Sequence, residues 1–189
     1  MTGVIVSCAA NPARAGGPFA LFSREGMVKL APDGGLYGRY ARRLLATLPR
    51  EVRIRADLEK ILNRLASQAR VRAGRAALKA SNLPLLAARA QAADMLLGNY
   101  VGHHSPSGFS FARRFEATAG PYHGNHAENA ARDTQRAPVD EFKAARLFRQ
   151  WLDSPGHRHN LMRREWRFVC TGAVARGQAL YAVQIYWEK

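Results

Sequence analysis

The sequence is poor in cysteine and in acidic residues, and it has no long apolar run. Each shortage excludes something. Two cysteines in 189 residues, Cys8 and Cys170, cannot make a disulfide framework, so an apolar core must hold the fold. No apolar segment approaches the ~20 residues that a bilayer-spanning helix needs. No HExxH, CxxC or GxSxG spacing occurs, which removes the common metalloprotease, thiol-redox and serine-hydrolase signatures. With 14 acidic residues against 29 basic ones, the formal charge is +15. Such a surface attracts polyanions. The positive residues are scattered, as at Arg42-Arg43, Arg113-Arg114 and Arg163-Arg164, and lack the interleaved aromatics of a base-stacking groove. That argues against nucleic acid and for a solvated face or an anionic envelope component or lipid.

A hydrophobic content of 47% suffices for one domain with a core, plus an appendage. Residues 1–54 read as an N-terminal extension punctuated by Gly/Pro-rich loops, with a strand pair over Phe19 to Leu30. Within it, Ile5-Val6-Ser7-Cys8 has the residue order of a bacterial lipoprotein cleavage box. Only Met1 to Val6 precede that box, so a complete signal would need a longer start. Tyr40 to Leu48 is a short basic amphipathic stretch, expected either on an anionic membrane surface or docked onto the domain. From residue 55 onward the pattern is that of a domain. Leu58, Ile61, Leu62 and Leu65 share one helical face. A second helix opens at Leu83-Pro84-Leu85 and runs to Gly98. Val139 to Leu152 forms a third, with Ala144, Leu147, Phe148 and Trp151 as its core stripe, ended by Ser154-Pro155-Gly156. Phe168 to Ala175 and Leu180 to Trp187 flank Arg176-Gly177-Gln178 as an antiparallel hairpin. Cys170, beside Phe168 and Val169, is a small core residue. Helices first and a hairpin last, without βαβ alternation, predict an α+β fold of helices on an antiparallel sheet.

Three segments join ionisable groups to turn residues. They are Tyr100 to Gly108 with His103 and His104, His126 to Ala131 with Glu128, and Trp151 to Leu161 with His157 and His159. Imidazoles with a carboxylate suit metal binding or acid–base work, or a polar network that pins loops together.

The third segment resembles the bacterial CAP-family pattern W-x-x-S-P-G-H-R-x-N-[IL], matched at Trp151, Ser154, Pro155, Gly156, His157, Arg158, Asn160 and Leu161. The first resembles H-x-S-P-x-G, which selects His103. The second resembles G-E-N-[IL]-A, keeping Glu128, Asn129 and Ala131. The resemblance covers residues 55–189. It implies an α–β–α sandwich, export from the cytoplasm, and a cleft of two His and two Glu where some members bind zinc. His103, Glu128 and His157 match that cleft, with His103 and His157 as metal ligands. The position of the fourth member is Arg146, expected to reach toward Glu128 and to disfavour a metal. No cofactor, or weakly held zinc, is the resulting expectation, with His104, His123, His126 and His159 as spare ligands. The functional expectation is a non-enzymatic, extracytoplasmic binding module, anchored to lipid through Cys8. The alternative is an envelope hydrolase or protease using His103, Glu128 and His157.

Overall fold

The C-terminal segment alternates its side chains between two buried faces, and this alternation builds the centre of the fold. Along β5 (Ala179–Trp187), Leu180, Ala182 and Tyr186 enter one apolar cluster, while Tyr181, Val183, Ile185 and Trp187 enter another. In β4 (Phe168–Arg176), Val169 and Ala173 face the first cluster, and Cys170 and Val174 the second. A strand buried on both faces has this composition because layers of helix must cover both sides.

The computed structural model describes residues 34–188. The lipoprotein-like box at Cys8 and the strand pair over Phe19 to Leu30 lie outside them. β4 and β5 pair antiparallel from Phe168 opposite Trp187 to Arg176 opposite Ala179. Their turn uses Gly177 at φ 57°, a left-handed conformation that only glycine adopts freely. β3 (His126–Asp133) lies antiparallel on β5 and forms one edge of the sheet. On the other side of β4 lie β1 (Val52–Ile54), antiparallel, and the two-residue β2 (Lys79–Ala80), parallel.

One face carries α2 (Ala56–Arg72), α5 (Glu141–Asp153) and α6 (Pro155–Met162) around Leu58, Leu62, Leu147 and Trp151. The other carries α1 (Gly34–Ala46), α3 (Leu85–Leu97) and α4 (Phe111–Ala119). The arrangement is the expected α–β–α sandwich. Residues 34–54, read from sequence as part of the extension, supply α1 and β1 to this body. Tyr37 and Ala41 of α1 are buried against Ala87 and Ala90 of α3 and Phe109.

α3 is buried around most of its circumference, and its alanines let it lie unusually close to the sheet. A Cβ on Gly172 would stand 2.3 Å from the backbone of Ala88 and Arg89. Glu59 of α2 completes the junction. It takes two hydrogen bonds from Arg89, at 2.8 and 2.7 Å, and one from the Ala173 amide at 3.2 Å. At the end of α5, Pro155 acts twice. It cannot continue one helix, yet it occupies the first turn of the next, where its missing N–H costs nothing.

Candidate functional site

Alternation along β3 determines what each motif residue can touch. Ala127 and Ala131 point to the α2/α5/α6 side, and Ala130 to the α1/α3/α4 side. Glu128 shares the second direction and is 1% exposed. There it meets His103, whose Nδ1 lies 2.9 Å from Glu128 Oε1. It also meets Arg114 of α4, whose Nη2 donates to both carboxylate oxygens at 2.9 and 2.7 Å.

Arg114 is the hub of the site. Its Nη1 donates to the carbonyls of His103 at 2.8 Å and Phe109 at 3.1 Å. It therefore ties the loop of the first motif to the strand of the second. The side chain is 1% exposed. Burial pushes the Glu128 carboxyl upward, but Arg114 and His103 outweigh it and hold the group below the ordinary carboxylate value. The carboxylate is thus ionised, paired and shut from water.

His157 enters from the first turn of α6, 7% exposed. Burial, and then the coulombic influence of His103, lower its pKa from 6.5. Asn129 points to the α6 side of β3, where its amide donates to the His157 carbonyl at 3.0 Å. Asn160 donates to Asn129 Oδ1 at 3.1 Å and to the Glu128 carbonyl at 3.3 Å. The asparagines of the second and third motifs thereby fasten α6 to the sheet edge. Behind them the Tyr186 hydroxyl accepts from Asn129 at 3.3 Å and donates to Gln184 at 2.5 Å.

Arg146 does not join this group, which corrects the expectation from sequence. Its Nε and Nη2 donate to Asp133 at 2.6 and 3.1 Å, at the far end of β3. The physical reason is length and direction. Asp133 is five positions beyond Glu128 on an extended strand, and α5 packs alongside that end. Lys143, one turn before Leu147 on α5, is fully buried and donates to the carbonyls of Gln135 and Gln178. The cation beside Glu128 is Arg114. Its sequence signal was Ser110 followed by Phe111 and Phe115, a capped helix whose apolar pair turns Arg114 inward.

The remaining histidines lie apart. His104, His123 and His159 are exposed. His126 is half-buried, stacked on Phe115 with ring centroids 4.7 Å apart and planes 8° from parallel. Zinc, which the resemblance implies, does not fit the donor set present. Arg114 occupies both Glu128 oxygens and places a permanent cation there, leaving two imidazoles. Among the described residues, no group of three or more His, Cys, Asp or Glu is placed to hold a metal.

No helix among the described residues is long and apolar enough to cross a membrane. The chain is similar in structure to an extracellular protein containing an SCP domain from Bacillus anthracis, with a TM-score of 0.57 and 22% identity. That match covers 70% of this chain and 41% of the Bacillus protein, so the chain spans less than half of its length. It is also similar to an outer surface protein from Borrelia burgdorferi, with a TM-score of 0.59 and 15% identity over 71% of this chain and 94% of that one. No curated protein matches the chain. The description of the cysteine-rich secretory protein family, CAP, matches residues 64–186, which carry all three motifs and both central strands. The chain belongs to the CAP family.

Proposed function

We propose that the chain is a non-enzymatic, extracytoplasmic binding module whose ligand is an anionic component of the cell envelope. The observation that carries this reading is the Arg114–Glu128 pair. A general base must accept a proton from water or substrate. Glu128 is instead saturated by a guanidinium and an imidazole, at 1% exposure. The His103–Glu128 pair and the Asn129 contact to His157 then serve to lock a loop, a strand and α6 together, and zinc is absent or weakly held. The excess of 29 basic over 14 acidic residues supports an anionic ligand. The extracellular and outer-surface neighbours support export.

The test uses purified protein with envelope fractions at low and high salt, alongside assays of peptidoglycan and protein hydrolysis. Salt-sensitive retention without hydrolysis is the expected result. Hydrolysis that disappears in His103→Ala and in His157→Ala would favour the hydrolase reading instead.

A further inference from the structure

Away from the motif residues, a groove of about 440 Å³ opens between α2 and the segment following β2. Lys60, Asn63, Arg64 and Ser67 of α2 line one wall, and Ser81 and Asn82 the other. We propose that this groove binds a small phosphate-bearing polyol, with Lys60 and Arg64 taking the phosphate. The inference rests on the anionic ligand proposed above and assigns it a site separate from the His103–Glu128 pair.

The chemistry of the walls points one way. No carboxylate lines the groove, and neither Lys60 nor Arg64 has an ion-pair partner among the described residues. Like charges four residues apart on a helix repel, and an anion bridging them removes that repulsion. Asn63 Oδ1 already accepts from the Thr171 hydroxyl at 2.7 Å, so its free atoms are the amide donors. The Ser81 hydroxyl oxygen accepts from the Leu83 amide at 3.4 Å, which leaves its proton to give. The ligand must therefore bring negative charge and acceptor oxygens, which phosphate and hydroxyl groups supply.

The groove is also built in place. The Ser67 hydroxyl donates to the Leu78 carbonyl at 2.9 Å and accepts from the Leu78 amide at 2.7 Å, fixing the floor. The second wall is held to β4 and its approach by Lys79 N to Arg167 O at 2.8 Å and Ser81 N to Val169 O at 3.0 Å. A volume near the lower end of small-molecule sites has room for one polyol phosphate.

The test is NMR titration of the whole protein with sn-glycerol 3-phosphate, inorganic phosphate and glycerol, plus flotation on vesicles with and without phosphatidylglycerol. The expected result is shifts concentrated at Asn63, Ser81 and Asn82, with glycerol binding at least ~10-fold more weakly than glycerol 3-phosphate. Lys60→Glu/Arg64→Glu changes two exposed side chains, so it should fold normally and lose binding ~10-fold or more. Arg136→Glu/Arg149→Glu matches the charge change elsewhere and should keep binding. Flotation that requires Lys60 and Arg64 would identify a lipid headgroup as the source. Binding of the soluble compound alone would identify a free phosphate. Shifts spread over the surface, equal loss in both double variants, or no binding of any phosphate probe would overturn the groove. Salt-sensitive binding to envelope fractions that survives Lys60→Glu/Arg64→Glu would overturn it while leaving the broader function standing.

Discussion

Arg114 and Glu128 meet through one guanidinium nitrogen and two carboxylate oxygens, at 2.9 and 2.7 Å, with both side chains 1% exposed. Removing one member of such a pair strands a buried charge, at a cost of about 3–5 kcal/mol. Arg114→Met should therefore lower unfolding free energy in urea by that amount. Arg114→Met/Glu128→Met removes both charges and should recover more than half of the loss. Equal and additive losses would show that the two groups are not coupled.

Zinc titration by calorimetry should give little or no binding to the unmodified protein, because only two imidazoles remain as donors. Arg146→Glu should leave that result unchanged, since Arg146 contacts Asp133 and not Glu128. Tight binding that disappears in His103→Ala/His157→Ala would show that the donor set is complete after all.

Acidification should destabilise the fold below pH 6.5. Burial lowers the pKa values of His126 and His157 from that ordinary value. Between 6.5 and the lowered folded values, the unfolded chain binds more protons than the folded one, so stability falls as pH falls. The thermal midpoint should drop from pH 7 to pH 5. His126→Phe keeps the stack on Phe115 and removes one titrating ring, so its drop should be smaller. Parallel curves for the two proteins would exclude His126 as a contributor.

Gly172→Ala should cost about 3 kcal/mol, the upper part of the usual range for overpacking. The added carbon meets backbone atoms at 2.3 Å, and backbone cannot swing aside as a side chain would. A shift of less than 1 kcal/mol in urea unfolding would mean that α3 can lift from the sheet at little cost.

Much of this was legible in the sequence because it follows short-range periodicity. Alternation over Phe168 to Trp187 and the Leu58–Leu65 face each need only a few neighbouring residues to read. The motif residues His103, Glu128 and His157 were legible through family resemblance. Arg114 was not, because its role depends on which strand α4 lies against, a relation spanning 14 positions. Arg146 misled for the same reason. Spacing along α5 identifies a helical face, but it does not say which end of β3 that face meets. β1 and β2, at three and two residues, carry too few positions to show any period and exist only through pairing with β4.

The order of strands in the sheet has a consequence for how the chain reaches this state. β4 and β5 lie at the centre, yet they follow every other described element along the chain. A polypeptide emerging from its amino end makes α2 and α3 long before the surface that both must cover exists. Those helices cannot complete the burial of their apolar faces until Phe168 to Trp187 arrives, so the core closes through contacts between distant parts of the chain. Loss of the final hairpin would remove the common partner of both layers. What precedes it keeps contacts within a layer, such as Tyr37 and Ala41 of α1 on Ala87 and Ala90 of α3, but lacks the sheet centre that joins the two layers.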